Sequence, residues 1–258
     1  MPTEKTRIYH SERDKIAVWA LGEHRWLTFT DGVMQSWINL TDPGELSPPV
    51  QALMAALLFI PTPKKTLMLG MGAGSLARFF HHKQPHLTGD LVEWSAPVVA
   101  VARQFFDFPQ PCAWQIKVMD ARDYINSTPQ HYDFIAVDIV QGEHTAPWVA
   151  QCHYLQQIRA CLAPRSAVVF NLLVADAHMF THFLRNIRQT FAQKTVCLSV
   201  PGYKNIVLIA FSDDPQYCAI EHLKARVTRL QHIWGLPFET FIDQMVRDNP
   251  IGSGTLHR

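Results

Sequence analysis

The chain has 258 residues, with 23 Lys and Arg against 22 Asp and Glu, and 48% of its residues are hydrophobic. This composition supports a sizeable core and argues against wholesale disorder. Because the charges balance, the sequence lacks the basic excess on which non-specific binding to nucleic acid or anionic membranes depends. We therefore expect neither of those partners, and a small molecule or another protein instead.

The sequence contains no segment typical of export or membrane insertion. Its first 15 residues carry charges throughout and include no apolar stretch of the kind found in a secretory signal. The longest apolar run, residues 52–60, covers nine positions, whereas a membrane-spanning helix needs about 20. The five cysteines are never spaced as CxxC, and the 13 histidines form no HExxH motif. We expect a cytoplasmic protein without a disulfide framework or a metal site.

The first 40 residues predict a small antiparallel sheet. Short β-branched and aromatic runs cover residues 16–19, 25–29 and 33–37. Turn signals at Gly22 and at the Asp31-Gly32 pair separate these runs, and Asp-Gly is a strong hairpin signal. We interpret residues 1–45 as an N-terminal β domain that serves as a dimerisation or lid element. Because it is too small to form a good core alone, we expect a homodimer.

From the Pro48-Pro49 pair onward, which suits a helix start, the pattern alternates between helices and strands. Strands are predicted at residues 66–69, 87–93, 115–119, 134–137, 167–172, 196–200 and 205–211. Helices are predicted at 50–60, 75–82, 96–106, 148–162 and 179–191, with one or two covering helices at 215–246. Repeated βα units predict an α/β fold with a Rossmann-like, doubly wound, mostly parallel sheet and an antiparallel edge. We assign residues 46–258 to this second domain.

A glycine-rich loop follows the first strand of the predicted parallel sheet. The sequence Gly70-Met71-Gly72-Ala73-Gly74 leads directly into a predicted helix. Glycines permit positive φ and a close approach of the backbone to a ligand, and a helix N-terminus adds free N–H groups. Ligands of parallel sheets bind beyond the carboxyl ends of the strands, which is where this loop lies.

Carboxylates end the next three strands, at Glu93, Asp120 and Asp138. A carboxylate 23 residues after Gly70 is suited to accept the ribose hydroxyls of an adenosine-type ligand. Asp is also a favoured helix N-cap, so capping is an alternative role for Asp120 and Asp138, whereas Ser95 is a better cap than Glu93. The loop and the three acids together predict a nucleoside ligand.

Two classes of nucleoside ligand are compatible with this architecture. Nicotinamide enzymes usually have the wider GxGxxG spacing, whereas this loop reads GxGxG. S-adenosylmethionine has no pyrophosphate to cradle and carries a sulfonium with a short tail instead. The narrower loop therefore favours a sulfonium ligand.

The sequence resembles the spermidine synthase (polyamine aminopropyltransferase) family across residues 7–212. The similar segments are residues 61–78, 91–94, 118–124 and 131–138, together with Asp31-Gly-Val-Met-Gln35 near the N-terminus. The nucleoside motifs are shared with many class I methyltransferases, and their combination with the small β domain is what resembles this family in particular.

The resemblance implies a role for each matching residue. Gly70, Gly72 and Gly74 would line the tail of S-adenosylmethionine or of its decarboxylated form, which is a co-substrate used without a metal. Glu93 would hold the ribose, and Asp120 with Ala121 would contact the adenine. Asp138 would help to deprotonate the attacking amine of a small-molecule acceptor, and Gln35 would lie near the co-substrate.

The chain departs from the family pattern on the amine side. Ala73 stands where the family loop has an Asp that contacts the aminopropyl amine, and Gln141 stands where it has a second amine-binding Asp. Pro48-Pro49 replaces a Tyr-Gln pair of the amine site. Losing one partner of a buried ion pair typically costs about 3–5 kcal/mol, so we expect poor aminopropylation of putrescine. The resemblance also implies that a neutral Ala73 would tolerate the carboxylate of ordinary S-adenosylmethionine.

Both transfers are in-line displacements for which the enzyme supplies positioning and deprotonation. Asp138 is the candidate general base. His144, in a loop at residues 141–147 that we expect to close over the acceptor, is either an alternative base or an exposed loop residue. Three hypotheses follow: a spermidine synthase-like transferase with an unidentified acceptor, an S-adenosylmethionine-dependent methyltransferase, and a non-catalytic nucleoside-binding homologue.

Overall fold

A computed structural model describes residues 4–29, 32, 34–60, 62–109 and 114–256. The strands are β1 (Thr6–Ser11), β2 (Ile16–Leu21), β3 (His24–Phe29), β4 (Met34–Asn39), β5 (Lys65–Leu69), β6 (Thr88–Glu93), β7 (Trp114–Val118), β8 (Tyr132–Val137), β9 (Val140–Gln141), β10 (His144–Thr145), β11 (Leu162–Leu173), β12 (Thr195–Ser199) and β13 (Asn205–Phe211). The helices are α1 (Pro48–Leu53), α2 (Ser75–Lys83), α3 (Ala96–Phe105), α4 (Ala121–Ser127), α5 (Cys152–Ala160), α6 (Ala177–Thr190), α7 (Ile220–Lys224), α8 (Val227–Trp234) and α9 (Phe238–Asp248), with 3₁₀ helices at Met54–Leu58 and Pro147–Ala150.

The N-terminal strands form the predicted antiparallel sheet, in the order β1-β2-β3-β4. Strand β1 is an addition to the prediction, and it pairs with β2 at the edge of this sheet. Asp31 and Val33 lie outside the described residues, so the Asp31-Gly32 hairpin signal and the start of the predicted third strand stay predictions. Gly32 itself has a φ of 75°, as a tight turn requires.

The second sheet confirms the predicted fold class. Its strand order is β12-β13-β11-β8-β5-β6-β7. Strands β11, β8, β5, β6 and β7 pair in parallel, and β13 is antiparallel to both β11 and β12. The central strands are almost continuously buried, because helices cover both faces of a doubly wound sheet.

Each face of this sheet is covered by its own apolar core. One core packs the sheet against the segment after α1 and against α2, α8 and α9, through side chains such as Phe80, Trp234 and Phe238. The other core packs it against α4, α5 and α6, through side chains such as Leu155 and Phe183. A third cluster joins the N-terminal sheet to α3. The described part of the chain contains no helix with the length and hydropathy needed to span a bilayer.

Three predicted helical segments differ from the structure. The segment at residues 50–60 begins as α1 and continues as a 3₁₀ helix. The segment at 148–162 is divided at Gln151, whose extended backbone (ψ 132°) separates a 3₁₀ turn from α5. The tail contains the three helices α7, α8 and α9 rather than one or two, and α8 ends at Gly235 with a φ of 69°, which is a common helix-ending conformation.

Candidate active site

The glycine-rich loop after β5 lies between the ends of the two neighbouring strands. Gly70 N donates to Val92 O on the β6 side at 2.9 Å, and Asp138 N, at the end of β8, donates to Leu69 O at 2.9 Å. The parallel pairing of β5 with β6 and β8 continues to the start of the loop. The loop, Glu93 and Asp138 therefore meet at one edge of the sheet, as the strand-end pattern predicts.

Tight packing on both sides of the loop requires glycine at two positions. Gly70 has a φ of 89°, and a Cβ there would collide with the carbonyl oxygen of Asp138. Gly72 has a φ of 51°, and its Cβ would lie 2.7 Å from Ser36 Oγ in β4. Gly74 is the N-cap residue of α2. The loop backbone therefore runs closer to both neighbours than any residue with a side chain would allow.

Glu93 is a buried carboxylate held by backbone N–H groups. Its side chain is 7% exposed, Met71 N donates to Oε2 at 3.3 Å, and Ser95 N donates to Oε1 at 3.0 Å. Burial raises the pKa of Glu93, and the backbone hydrogen bonds from Ser95 and Met71 oppose that rise. The backbone N–H groups of Gly72 and Trp94 also lower the pKa of Glu93, so the hydroxyl groups of a ligand would share its about four acceptor positions with backbone donors. Ser95 caps α3, as predicted.

Asp120 caps α4, which confirms the alternative role predicted for it. Its Oδ1 accepts from Arg122 N at 2.7 Å. The Arg122 guanidinium also binds both carboxylate oxygens, from Nε at 3.0 Å and from Nη2 at 2.6 Å, and this side-chain hydrogen bonding lowers the pKa of Asp120. Arg122 lies 4.8 Å from the ring centroid of Trp148. Ala121, the first residue of α4, packs against the core under α5.

Because Arg122 engages both oxygens of Asp120, its removal is expected to tighten nucleoside binding at this carboxylate. For Arg122→Ala, we expect methylthioadenosine or S-adenosylhomocysteine to bind about two- to fivefold more tightly, since an exposed ion pair that competes for the carboxylate is weak. Isothermal titration calorimetry measures the change. Lys117→Ala, on the edge strand β7 that precedes Asp120, is the control and should leave affinity unchanged. Weaker binding of Arg122→Ala alone would instead indicate that Arg122 contacts the ligand.

Asp138 is not a helix cap, because the chain continues from it into the short strand β9. The predicted alternative role of capping is therefore wrong for this residue. Asn171 Nδ2, on the adjacent strand β11, donates to Asp138 Oδ1 at 2.9 Å. Burial raises the pKa of Asp138 to about 6, and the Asn171 hydrogen bond opposes the rise. A carboxyl with this pKa is ionised at neutral pH and accepts a proton readily, as a general base requires.

The segment after Asp138 is a small β-hairpin rather than an irregular loop. Gln141 pairs with His144 across β9 and β10, and Gly142 occupies the turn with a φ of 67°. The buried Thr145 hydroxyl donates to Asn171 O at 3.2 Å and accepts from Leu173 N at 2.8 Å. These bonds fix the hairpin to β11 next to Asp138, so Gln141 and His144 lie on an ordered element.

The N-terminal sheet reaches the glycine-rich loop through β4. Ser36 Oγ accepts from Ala73 N at 3.1 Å. Gln35 is the extra residue of a β-bulge, because Leu27 pairs with Ser36 and Thr28 pairs with Met34. The Ala73 side chain is 1% exposed and belongs to the apolar cluster between β2–β4 and α3. Its methyl group therefore does not line an open ligand surface, and an Asp at this position would bury a charge among apolar side chains.

Arg78 is a positioning residue that the sequence patterns did not single out. Its side chain is fully buried at 0% exposure, and its guanidinium donates to the carbonyl oxygens of Ala73, Phe106, Pro43 and Trp37. Burial lowers the pKa of Arg78 to about 10. The residue joins the glycine-rich loop, the end of α3 and the N-terminal sheet. In the sequence, only the position of Arg78 among the apolar residues of α2 could have indicated that its side chain is buried.

A metal ion has no set of ligands in this region. Across the described ranges, no group of three or more His, Cys, Asp or Glu residues could hold one. The polar groups at the strand ends are carboxylates, amides and backbone N–H groups, which suit an organic ligand with hydroxyl and amino groups.

The comparisons with known proteins agree with this arrangement. The family model of the spermine/spermidine synthase domain matches residues 52–219. The polyamine aminopropyltransferase of Chromobacterium violaceum is 27% identical over 237 residues, which cover 91% of this chain and 90% of that protein.

Two solved structures share the fold. A probable spermidine synthase from Corynebacterium glutamicum superposes with a TM-score of 0.73 at 24% identity and covers 97% of this chain and 95% of its own. Human Methyltransferase-like protein 13, solved in complex with SAH, gives a TM-score of 0.63 at 23% identity and covers 74% of this chain and 90% of its own. The small N-terminal sheet followed by the mixed seven-stranded sheet, and the domain match across the glycine-rich loop and the strand-end acids, lead to one conclusion: the chain belongs to the spermine/spermidine synthase family.

Proposed function

We propose that the protein is a transferase that binds S-adenosylmethionine or its decarboxylated form and transfers an aminopropyl or methyl group to a small acceptor. The observation that carries this proposal is the glycine-rich loop bounded by two acids, the buried Glu93 and the half-buried Asp138. Glu93 would hold the ribose and Asp120 with Ala121 would contact the adenine. Gly70, Gly72 and Gly74 would approach the tail of the co-substrate, and Gln35 would approach it from β4.

Asp138 would act as the general base of a direct displacement. The lone pair of an acceptor nitrogen attacks the carbon bound to the sulfonium, and a C–N bond forms as the C–S bond breaks. The sulfur keeps the bonding electron pair and becomes a neutral thioether, while the nitrogen loses its proton to the Asp138 carboxylate. The described residues supply a base with a pKa of about 6, and positioning by the loop and the hairpin supplies the remaining catalysis.

The residues that we expect beside the acceptor favour an acceptor molecule that carries less positive charge than a diamine. Gln141 in the hairpin is exposed and neutral, and the apolar surroundings of Ala73 offer no anion. A buried dication needs carboxylates that offset its desolvation, and Asp138 is the strand-end acid nearest to this hairpin in the chain. Methyl transfer is the second candidate function, favoured by this same shortage of carboxylates for an aminopropyl amine.

Calorimetry with products and substrates tests the proposal. We expect binding of S-adenosylmethionine, of its decarboxylated form, or of their products, and weaker binding by about tenfold or more for Glu93→Gln, because a charge-assisted hydrogen bond is worth about 1.5–3 kcal/mol. Glu221→Gln on the remote helix α7 is the control. Tighter binding of methylthioadenosine than of S-adenosylhomocysteine supports aminopropyl transfer, and the reverse order supports methyl transfer. Absence of binding to every one of these ligands at millimolar concentration contradicts the proposal.

We also propose that the protein acts in the cytoplasm as a homodimer, with residues 1–45 as the β domain and 46–258 as the catalytic domain. The apolar side chains of Ile8, Leu21, Phe29 and Met34 in the N-terminal sheet are each more than a third exposed. Exposed apolar groups concentrated on one small sheet favour an interface there. Sedimentation equilibrium measures the oligomeric state, and a monomer at micromolar concentration would contradict the proposed homodimer.

A further inference from the structure

A line of three polar side chains crosses the strands beside the proposed base. Asn205 Nδ2, on β13, donates to Asn171 Oδ1 at 2.8 Å, and Asn171 Nδ2 donates to Asp138 Oδ1 at 2.9 Å. Asn171 is 5% exposed and Asn205 is 8% exposed. Asn205 begins a strand that is otherwise apolar, and Asn171 lies in the buried apolar stretch 167–172 of β11, where burying an amide without partners would be unfavourable.

The direction of these hydrogen bonds fixes the orientation of the carboxylate. Because an ionised carboxylate only accepts hydrogen bonds, the amide nitrogen of Asn171 faces Asp138, and Asn171 Oδ1 is left to accept from Asn205. Asp138 therefore receives a donor on Oδ1, and among the described residues no hydrogen bond engages Oδ2. A carboxylate held by one oxygen through a buried network has a fixed orientation and one oxygen left for a substrate proton.

The charged groups near Asp138 do not provide this orientation. The ionisable side chains at the same end of the sheet are Glu93 after β6 and Glu143 and His144 in the hairpin. Lys65, Asp133 and Arg165 lie near the opposite ends of the parallel strands β5, β8 and β11. The Glu93 carboxylate accepts from the backbone N–H groups of Met71 and Ser95, so its hydrogen bonds do not hold Asp138. The amide of Asn171 is therefore the side chain that holds the carboxylate.

We infer that Asn171 and Asn205 are positioning residues for the general base, and that they present Oδ2 of Asp138 to the proton of the acceptor. The inference rests on the proposed function for its catalytic meaning, whereas the orientation itself is a property of the folded protein. Asn171 acts directly on the carboxylate. Asn205 acts through Asn171, by preventing its amide from turning over.

Carbon-13 NMR titration of the Asp carboxyl groups tests the inference without any substrate. The Asp138 resonance is assigned by its absence in Asp138→Asn. Asn171→Leu removes the donor on Oδ1 and is expected to raise the pKa of Asp138 by about one to two pH units, the equivalent of one hydrogen bond to a charged group. Asn205→Leu is expected to raise it by about half a unit, because the Asn171 donor is still present but no longer fixed.

Asn249→Leu is the matched control. Asn249 is another buried amide, 3% exposed, and it binds the backbone of Cys197 in β12 away from Asp138. It should lower stability without moving the pKa of Asp138. An unchanged pKa in folded Asn171→Leu overturns the inference, and so does an unchanged pKa in Asn205→Leu if Asn171→Leu fails to fold.

Kinetics then separates the inference from the proposed function. With an active wild-type enzyme, Asn171→Leu should lower kcat about tenfold or more and raise the pH of the acidic limb, while KM for the sulfonium substrate stays constant. A rise in KM alone, with kcat intact, contradicts positioning. If the pKa moves as expected but wild-type protein transfers neither group to any amine, the proposed function fails and the orientation by Asn171 stands.

Discussion

Asp138→Asn is expected to abolish transfer and, at the same time, to make the protein more stable at neutral pH. The substitution keeps the shape of the side chain and the acceptor oxygen for Asn171 but removes the base. Removing a general base typically lowers the rate by about 10²–10⁴-fold. In wild-type enzyme, activity should fall as the pH drops through about 6, where Asp138 becomes protonated.

The gain in stability follows from the direction of the pKa shift. The pKa of Asp138 is raised from 3.8 to about 6 in the folded protein, so the unfolded chain ionises first as the pH rises. The resulting loss of stability is absent below the unfolded pKa and complete above the folded pKa. It amounts to at most about 3 kcal/mol, and Asp138→Asn removes it at pH 7 but not near pH 3.

Urea unfolding at the two pH values measures this change in the free energy of unfolding. Asp213→Asn is a control of opposite sign, because the backbone hydrogen bond from Arg165 N lowers the pKa of Asp213. That variant should lose a little stability at pH 7. An Asp138→Asn protein that is less stable than wild type at pH 7, or that retains full activity, would be inconsistent with a base of raised pKa at this position.

Gly70→Ala is expected to destabilise the protein and abolish nucleoside binding. The residue has a φ of 89°, and an added Cβ would meet the carbonyl oxygen of Asp138. The left-handed conformation costs about 1–2 kcal/mol for a residue with a side chain, and forced displacement of packed backbone adds about 1–3 kcal/mol. Because the displaced atoms belong to the loop and to Asp138, the substitution should distort the candidate binding site as well as lower stability.

Gly202→Ala separates the cost of the left-handed conformation from the cost of displacing packed backbone. Gly202 has a φ of 80° in the turn between β12 and β13, and no atom lies within 4 Å of the position its Cβ would occupy. The free energy of unfolding of this variant should fall only by the cost of the left-handed conformation, about 1–2 kcal/mol. The variant should bind methylthioadenosine or S-adenosylhomocysteine as wild type does. Urea unfolding and calorimetry on both variants give the comparison. Equal losses in the two variants would show that the approach of Gly70 to Asp138 is unimportant.

The parallel sheet was predictable from sequence because its strands are buried on both faces. Residues 67–69 and 134–137 are continuous apolar runs, and burial on both faces selects such runs. Strand β1 was not predictable, because four of its six residues are exposed and the strand lies at the edge of its sheet, next to β2. An edge strand needs no apolar repeat.

The contacts of the candidate site also fall into those that were predictable from sequence and those that were not. Glu93, Asp120 and Asp138 follow strands directly in the sequence, so parallel pairing alone brings them to one edge. The contact of Asn205 with Asn171 depends on β13 lying beside β11 in antiparallel register. The contact of Arg122 with Asp120 depends on the rotamer that the Arg122 side chain adopts. The buried surroundings of Ala73 depend on how two sheets pack. Such contacts follow from tertiary structure, which local patterns do not encode.

Arg78 makes the two sheets of the molecule a single cooperative unit. Its guanidinium has acceptors in both, since Trp37 O and Pro43 O belong to the N-terminal part and Ala73 O to the glycine-rich loop. If the N-terminal sheet detached, a buried cation would lose two of its acceptors, and the apolar cluster around Ala73 would open to water. Thermal unfolding of the N-terminal sheet and disassembly of the ligand loop therefore belong to one transition, so the loop is ordered only while the small sheet is folded onto it.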